Sequence, residues 1–405
     1  MTVRANKPAF NIREKLKELT HNIGLKGREL MSAATVQEAR DAIGAGRKNM
    51  IINGACSINQ RYSGSYTVPN ATGGTYVLDR WAVNEATGGS VSVSMDGDPY
   101  SGNGDGSDVQ EFSKAMQIAV QTDNSSLSAN ENLHFFQNIE GYNTTRLGWG
   151  TPGAKPATLS FWVRSNVPGT YCVGLENNAV NKTCIREYTV KPGFKWQKVA
   201  LTFPGPTDGT WEVTNSIGIR VRFCLASGSA YDDGIDGQWV SSDELTTGNQ
   251  VNFVSSTSNR YFITGVQLEV GKNATDFEHR SYGEELELCQ RYFYKIGGTE
   301  NKIIGPAFSP ATSEVAIMVS HPVTMRTAPT EVTVVSTNNN NTDFYFRTIN
   351  NTGTALTGTG RDATTYSTEY MLNIWFDGMT GMPQVPGLLR VQSGRTAHIH
   401  VSAEI

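Results

Sequence analysis

Two strand-like segments, residues 48–61 and residues 261–271, stand at the two ends of a long region rich in glycine, threonine and serine. In closed antiparallel folds the first and last strands commonly pair with each other, which removes the exposed edges of the sheet. The two segments therefore predict that the region they bracket folds as a single domain. They also set its approximate limits, at residues 47 and 281.

Composition favours a mainly β protein. The chain has 405 residues, which predicts roughly two or three domains and a core that needs no disulfides. It contains 41 glycines, and only 18% of its residues are charged. That balance is typical of antiparallel sheets joined by many tight turns rather than of a helical enzyme.

Apolar and polar residues alternate with the period of a half-buried strand in several parts of the central region. The clearest examples are residues 158–164, 195–203 and 220–225. Proline-glycine and aspartate-glycine pairs separate such segments, as turns between strands require. The pattern predicts an antiparallel jelly-roll β-sandwich over residues 47–281.

Residues 1–46 differ from the rest of the chain because they carry helix signals. Asn11–Glu14 and Thr35–Glu38 have the pattern of capping boxes, in which a short polar side chain and a glutamate bond to each other's backbone amides. Each box predicts a short helix, and helices of this length need a surface to pack on. We therefore expect residues 1–46 to be a helical attachment segment.

A third capping box, Ser281–Glu284, predicts a short helix at the start of a final domain. Beyond it, the apolar segments 314–319 and 371–376 are separated by an asparagine tract and by turn-forming residues. The sequence shows no repeat of the length found in propellers or β-helices. Residues 282–405 are therefore predicted to form a smaller C-terminal β domain.

Charge and hydropathy restrict the partners. The formal net charge is -4 at pH 7, whereas nucleic-acid binding relies on clustered lysine and arginine. The N-terminus lacks the apolar core of a signal peptide, and no apolar stretch of the chain is long enough to cross a bilayer. We therefore expect no nucleic-acid partner, no membrane insertion, and assembly in a cytoplasm.

The five cysteines, Cys56, Cys172, Cys184, Cys224 and Cys289, include no Cys-x-x-Cys pair. We expect buried free thiols, with a bridge from Cys172 to Cys184 as the alternative in an oxidising environment. The chain also lacks the motifs of serine hydrolases, zinc proteases, P-loop proteins and dinucleotide-binding proteins. The sequence therefore predicts neither a cofactor nor an enzyme.

Several segments of the chain resemble the recurring segments of tailed-bacteriophage fibre and virion proteins. In order, they are residues 47–55, 78–81, 158–163, 261–271 and 277–286, with a fainter match at 322–329. The resemblance implies a homotrimeric structural protein of the virion. It also implies that the jelly roll is similar to carbohydrate-binding modules.

The resemblance implies a role in adsorption to host-surface glycan, with residues 1–46 bound to other virion proteins. Two alternatives stay open: an architectural capsid-decoration or collar fibre without a host ligand, and a tail-associated polysaccharide depolymerase. Related modules often hold a structural calcium ion with an aspartate pair in the last strand. Thr264 and Gly265 stand at that place in this chain, which argues against such a site.

The best candidate for glycan binding is a loop that contains Tyr231, Asp233 and Trp239. Sugar sites combine an aromatic face for the apolar side of a pyranose with carboxylate or amide groups for its hydroxyls. The alternative is an ordinary turn-rich loop whose aromatic side chains pack against the core. Trp149 and Trp211 are weaker candidates, each flanked by loop-forming residues.

Two groups of carboxylates offer oxygen ligands to a cation. One is Asp232, Asp233 and Asp236 in the same loop, and the other lies between Asp96 and Asp108. The second group lacks the spacing of an EF-hand loop, so we expect a solvated turn there. A role of its carboxylates in glycoside cleavage would depend on their separation in space.

His398 and His400 stand two residues apart on a predicted strand, so both imidazoles point to the same face. In a trimer they would direct all their imidazoles to one axis, which is the geometry of an octahedral transition-metal site. Some trimeric phage fibres use such sites, as the resemblance implies. Packed or exposed histidines without a metal are the alternative.

Overall fold

The computed structural model describes residues 48–96, 109, 111–336, 343–348, 353–356, 360–362 and 367–405. Met50–Ile405 forms one compact unit. The protein is mainly β, as predicted, and the described strands pair in antiparallel sheets. The predicted helices within residues 1–46 and the acidic loop up to Asp108 lie outside the described residues.

The first sheet of the central sandwich has six strands. In spatial order they are β1 (Tyr66–Val68), β4 (Ser90–Asp96), β5 (Ala115–Thr122), β13 (Arg260–Val270), β7 (Ala157–Ser165) and β10 (Gln197–Phe203). The predicted strands at 158–164, 195–203 and 261–271 are confirmed as β7, β10 and β13.

The second sheet has seven strands and faces the first. In spatial order they are β12 (Trp239–Val240), β9 (Thr183–Val190), β8 (Gly169–Glu176), β11 (Ile217–Ser227), β6 (Asn132–Glu140), β3 (Trp81–Ala86) and β2 (Ala71–Leu78). A helical turn, α1 (Gly141–Thr144), follows β6, and short 3-10 turns occur at Thr145–Leu147 and Phe253–Ser255. The chain passes repeatedly between the two sheets, as a jelly roll requires.

Aromatic side chains fill the space between the two sheets. Phe135 on β6 and Phe223 on β11 stack with ring centroids 4.8 Å apart, and Phe161 on β7 meets Phe223 edge to face at 5.1 Å. Residues at alternate positions of these strands point away from the core, because successive strand residues face opposite sides. Burial of each such ring stabilises the sandwich by about 1.5–3 kcal/mol.

The two end segments of the sandwich contact each other, but the prediction that the first is a strand is wrong. The Met50 amide donates to the Leu268 carbonyl and the Val266 amide donates to the Gly54 carbonyl, both at 2.9 Å. A Cβ on Gly54 would lie 2.1 Å from the Val266 carbonyl oxygen, so only glycine fits there. This close approach holds the segment against β13 as irregular, largely buried backbone rather than as a regular strand.

Residues 78–81, one of the segments that carry the phage resemblance, are structural. The Arg80 guanidinium lies 3.5 Å from the ring centroid of Tyr292 and forms an ion pair with Glu404. The Trp81 Nε1 donates to the Asn53 carbonyl at 3.0 Å. The segment therefore ties the sandwich to the C-terminal part of the unit.

The predicted helix after Ser281 is confirmed as α2 (Tyr282–Gln290). The Ser281 hydroxyl oxygen accepts a hydrogen bond from the Glu284 amide at 3.3 Å, as a capping box requires. Cys289 on α2 is buried against Ile52 and Ile58 of the sandwich. Within the part of the chain that the structure describes, no helix is long and apolar enough to cross a membrane.

Two further sheets form the C-terminal part. The smaller consists of β14 (Phe293–Gly298), β23 (Ala397–Ser402) and β17 (Glu331–Ser336). The larger consists of β19 (Gly353–Ala355), β18 (Phe344–Thr348), β22 (Pro386–Val391), β15 (Ile303–Ala311), β16 (Glu314–Ser320), β21 (Met371–Asp377) and β20 (Gly360–Asp362). They enclose a second core, separate from that of the sandwich, and the predicted strands at 314–319 and 371–376 are confirmed.

All five cysteines are buried free thiols, and the alternative bridge is absent. The pairing of β8 with β9 places Cys172 opposite Glu187 and Cys184 opposite Leu175. Cys184 points into the sandwich core, whereas Cys172 lies on the outer face, opposite Cys224 of β11. The two thiols of the proposed bridge therefore point to opposite faces of the sheet.

Candidate functional site

A cavity of about 500 Å³, which we name the sheet cavity, lies on the outer face of the second sheet. Its floor comes from β2, β3, β6 and β11. Polar and aromatic side chains line it, among them Tyr76, Asn84, His134, Phe136, Asn138 and Arg220. Such a combination of shape and chemistry is typical of small-molecule and sugar sites.

Strand pairing brings the floor residues together. His134, Phe136 and Asn138 occupy alternate positions of β6, on the face away from the core. On the neighbouring strand β11, Arg220 lies opposite Asn138, and Arg222 lies opposite Phe136. The floor is therefore built from adjacent rows on rigid strands rather than from loops, which favours a preformed site.

Hydrogen bonds hold the amide side chains of the sheet cavity in place. The Asn132 Oδ1 accepts from the Asn84 Nδ2 at 2.8 Å and bonds to the His134 Nδ1 at 3.0 Å. The Asn84 Oδ1 accepts from the Gly73 amide at 3.0 Å. These side chains are thus oriented before any ligand binds, which lowers the entropic cost of recognition.

Arg220 is fixed from two sides. Its Nε donates to the Asn138 Oδ1 at 2.8 Å, and its Nη1 donates to the Glu176 carboxylate at 2.6 Å. Glu176 is fully buried and also forms an ion pair with Arg222. The Arg220 guanidinium lies 5.6 Å from the ring centroid of Phe136. A planar guanidinium held beside a ring presents its remaining donors in a defined direction.

The imidazole of His134 is neutral at neutral pH. Burial lowers the pKa of His134 well below its usual value, and the positive charges of Arg222 and Arg220 lower it further. Because the Asn132 Oδ1 can only accept, the His134 Nδ1 carries the proton and the Nε2 is an acceptor. A neutral imidazole of this kind can accept a hydrogen bond from a hydroxyl group.

Phe136 provides the aromatic surface of the sheet cavity. Its ring lies over Gly74, where a Cβ would come within 2.5 Å of the Phe136 Cζ. The residue opposite Phe136 on β3 is Ala82, which is also small. The ring, bordered by amides and a guanidinium, suits the apolar face and the hydroxyls of a pyranose.

The last residues of the chain lie at one end of the sheet cavity. The Ile405 carbonyl accepts from the Tyr76 hydroxyl at 2.7 Å. Glu404 forms ion pairs with Arg61, at 2.6 Å, and with Arg80. Two guanidinium groups thus engage the Glu404 carboxylate, which gives this carboxylate a structural role.

A second space of about 680 Å³, which we name the joint cleft, adjoins the sheet cavity. It lies between residues 61–65 with β2 on one side and the three-stranded sheet on the other. Tyr76, Glu331 and Ser402 line both spaces. A ligand longer than one sugar ring can therefore contact both.

His398 and His400 line the joint cleft from the same face of β23, as predicted, with ring centroids 6.4 Å apart. Burial and the positive charge of Lys295 lower the pKa of His398, and burial with Lys295 lowers the pKa of His400 to about 4. Among the described residues of one chain, no group of three or more histidine, cysteine, aspartate or glutamate side chains is placed to hold a metal ion. The metal site shared by three chains stays a prediction.

Trp239 meets the two weaker candidates, Trp149 and Trp211, in one group that we name the tryptophan cluster. The ring centroids lie 4.7 Å apart for Trp149 and Trp211, 5.3 Å for Trp149 and Trp239, and 5.4 Å for Trp211 and Trp239. All three pairs are edge to face, and each indole N–H donates to a backbone carbonyl. The rings therefore hold loops at one end of the sandwich together.

The other two residues of the predicted glycan loop lie apart from this cluster. Asp233 is exposed, and its amide donates to the Glu244 carboxylate at 3.3 Å. The Tyr231 carbonyl accepts from the Thr246 amide at 3.0 Å. No described hydrogen bond or ring contact joins the side chains of Tyr231, Asp233 and Trp239. Glycan binding by these three residues stays a prediction.

The calcium alternative for this loop finds no support in the geometry. The Asp236 Oδ1 accepts from the Arg186 Nε and from the Glu187 amide, both at 3.0 Å. Asp232, Asp233 and Asp236 do not form a group placed to hold a metal ion. The carboxylate of Asp236 instead fixes the loop to the edge of the second sheet.

Thr264 and Gly265, which stand where the related modules have an aspartate pair, contribute to packing. The Thr264 hydroxyl donates to the Lys114 carbonyl at 2.8 Å. Gly265 has a φ of +63°, and a Cβ there would lie 2.6 Å from the Phe112 ring. Both residues are therefore engaged in holding β13 against its neighbours.

Sequence reasoning missed the floor of the sheet cavity. The signal was present, because His134, Phe136 and Asn138 alternate with the apolar Leu133 and Phe135 as strand residues of opposite faces do. An aromatic residue between polar ones on an outward face indicates a surface with a role in recognition. Only strand pairing shows that Arg220 lies beside it.

No family model and no curated protein matches this chain. Solved structures are similar to it at low identity. One is the enzymatically active domain of tailspike protein 4 of bacteriophage CBA120, which is 14% identical with a TM-score of 0.27 and covers 50% of this chain. The match covers 21% of that protein, so this chain spans only a small part of its length.

Carbohydrate-binding modules also occur among these structures. The family 11 module of Clostridium thermocellum in complex with a β-1,3-1,4-mixed-linked tetrasaccharide is 12% identical, with a TM-score of 0.25, and covers 54% of this chain and 100% of that chain. The TmCBM61 module in complex with β-1,4-galactotriose is 12% identical, with a TM-score of 0.27, and covers 55% and 99%. At such scores these similarities assign no ligand, which leaves the chain's own residues to indicate its function.

Proposed function

We propose that this protein is a glycan-binding structural protein of a tailed-bacteriophage virion, a homotrimeric fibre or fibre-like appendage that takes part in host adsorption. The observation that carries the glycan-binding part is the sheet cavity. Its floor combines Phe136 with the oriented amides of Asn84 and Asn138 and the fixed guanidinium of Arg220. Sugars are recognised by this combination of one apolar face and several directed polar groups.

Binding at a single cavity of this kind is weak, because sugar hydroxyls exchange water for protein with little net gain. Adsorption therefore relies on several copies. In a homotrimer carried many times on a particle, each further contact becomes intramolecular and raises the effective affinity by orders of magnitude. Weak individual sites are thus sufficient for this role.

The virion part of the proposal rests on the sequence resemblance. We expect residues 1–46, whose sequence predicts short helices that need a docking surface, to attach the chain to other virion proteins. Location in the virion can be tested by immunogold labelling of purified particles, and labelling confined to unassembled protein would contradict it.

The chemistry of the cavity favours binding over cleavage of glycan. Glycoside hydrolysis needs two carboxyl groups that flank the scissile bond. Among the described residues that line the sheet cavity, Glu331 and Glu404 carry side-chain carboxylates, and Glu404 is engaged by Arg61 and Arg80. The Glu404 carboxylate is therefore already occupied by these two guanidinium groups.

Binding of the full chain to host polysaccharide, with and without Phe136→Ala, tests the proposal. We expect the variant to lower the affinity about tenfold, because the stacking surface for the sugar is lost. Tyr142→Ala is the matched control, since Tyr142 is 60% exposed and lies outside the cavity. Equal affinity of Phe136→Ala and the unaltered chain would contradict the proposed site.

Two further measurements separate the alternative functions. Release of new reducing ends from the polysaccharide would indicate a depolymerase. Absence of binding to host cells, together with normal infectivity of a phage that lacks the protein, would indicate an architectural fibre without a host ligand.

A further inference from the structure

The joint cleft is richer in nitrogen bases and cations than the sheet cavity beside it. Arg61, Lys295, His398 and His400 line it, and Glu331 is the one carboxylate among its described lining residues. The four nitrogen-bearing side chains come from three separate parts of the chain: the segment before β1, strand β14 and strand β23. The fold therefore gathers them at one place.

Lys295 is an exposed cation at the wall of this cleft. It is part of β14 and lies on the same face of the sheet as Phe293, two residues earlier. An exposed ammonium group at the wall of a cleft is available to an anionic ligand.

Arg61 is the buried cation of the cleft, with a side chain that is 10% exposed. Its guanidinium lies 3.8 Å from the ring centroid of Phe293 and 4.8 Å from that of Tyr76. The Arg61 Nη2 donates to Glu404, but the Arg61 Nε has no partner among the described residues, and neither does the His398 Nδ1. Both nitrogens are buried, so the contribution of Arg61 to the cleft is its positive charge.

The remaining wall suits a sugar ring. Tyr62, which lines the cleft, stacks on Tyr66 with ring centroids 3.9 Å apart. Hydroxyl groups of Ser63, Thr75 and Thr333 line the same space. An aromatic wall with hydroxyl donors beside two cations matches a saccharide that carries a negative charge.

We propose that the joint cleft binds the carboxylate of an acidic sugar in a host polysaccharide, with Lys295 as its principal charge partner. The inference rests on the proposed glycan binding, because Tyr76, Glu331 and Ser402 line both spaces and let one polysaccharide chain run from the sheet cavity into the cleft. The charge of the cleft then selects acidic over neutral glycans.

The experiment compares each carboxylated bacterial surface polysaccharide of a panel with the same polysaccharide after chemical reduction of its carboxyl groups to hydroxymethyl groups. Affinities are measured for the full chain and for Lys295→Gln, which removes one exposed charge. We expect the unaltered chain to prefer the carboxylated form, and Lys295→Gln to lower that affinity about tenfold. Affinity for the reduced form should not change.

Lys198→Gln is the matched control, because Lys198 is an exposed lysine on β10 in the first sheet of the sandwich. It should leave both affinities unchanged. Equal binding of carboxylated and reduced forms, or an equal loss on both in Lys295→Gln, would overturn the inference while leaving the sheet cavity intact. Selective binding of phosphate-bearing polysaccharides would overturn the choice of a carboxylate, and binding of no polysaccharide would remove the proposed function itself.

Discussion

The tryptophan cluster and the sheet cavity use aromatic rings in opposite ways. In the cluster, three rings contact one another edge to face, and backbone carbonyls accept from all three indole groups. In the sheet cavity, Phe136 is also only 8% exposed, but its ring lines a cavity beside amide, imidazole and guanidinium groups. Aromatic residues in loops therefore indicate packing when their rings contact one another, and recognition when a ring lines a cavity with oriented polar groups.

The largest expected effect concerns the cluster as a structural unit. Trp149 is 8% exposed, so Trp149→Ala should lower the free energy of unfolding by about 3–5 kcal/mol. Urea unfolding followed by circular dichroism measures it, with Tyr142→Ala as a control that should stay within about 0.5 kcal/mol of the unaltered chain. A loss for Trp149→Ala as small as that of the control would show that the cluster does not stabilise the sandwich.

The next effect concerns pH and the sheet cavity. Burial lowers the pKa of His134 in the folded chain, so the unfolded chain takes up a proton near pH 6.5 that the folded chain does not. The free energy of unfolding should therefore fall as the pH is lowered below 6.5, by at most about 1.4 kcal/mol per pH unit from this residue. His134→Gln should show a shallower dependence in unfolding measured between pH 7 and pH 5. An identical slope would mean that His134 is protonated in the folded chain.

A smaller effect is expected at the amides of the sheet cavity. Asn84→Ala removes an oriented amide and should weaken polysaccharide binding about threefold to tenfold, the value of one or two hydrogen bonds. Titration calorimetry measures the affinity. Asn249→Ala is the control, because Asn249 bonds to Glu187 at 2.9 Å in an exposed position. If both variants bind equally well, the amides of the cavity do not contact the glycan.

The smallest effect is expected for glycan binding at the tryptophan cluster. Trp239→Ala should change the affinity for polysaccharide less than about threefold, because the ring mainly contacts Trp149 and Trp211. The same titration measures it, next to Phe136→Ala. A loss of affinity in Trp239→Ala that exceeds the loss in Phe136→Ala would indicate that glycan binds at the loop that contains Tyr231, Asp233 and Trp239.

Much of the fold could be predicted from the sequence. The alternation within residues 158–164 and 220–225 defined strands, and Ser281–Glu284 marked a helix start, because these signals act over a few neighbouring residues. The first end segment was misread as a strand. Its backbone at Ile52 bonds instead to Gln137, whose side-chain amide bonds to both the Ile52 amide and the Ile52 carbonyl at 2.8 Å. A side chain that bonds to the backbone in place of a neighbouring strand produces no periodic pattern in the sequence.

The candidate site was harder to predict, because it depends on which strands become neighbours. Phe136 and Arg220 are 84 positions apart, and the pairing of β6 with β11 brings them together. By contrast, the same-face placement of His398 and His400 follows from strand geometry alone and is confirmed. Trp239 was singled out from the sequence as a glycan-binding candidate, and that prediction stays untested. Its contacts with Trp149 and Trp211 arise from loops that meet only in three dimensions.

The most direct test of the central claim is a crystal structure of the full chain with an oligosaccharide from a polysaccharide that it binds. We expect a sugar ring over Phe136, hydrogen-bonded to Asn84 or Arg220. An oligosaccharide bound at Trp239, with the sheet cavity filled only by water, would contradict it.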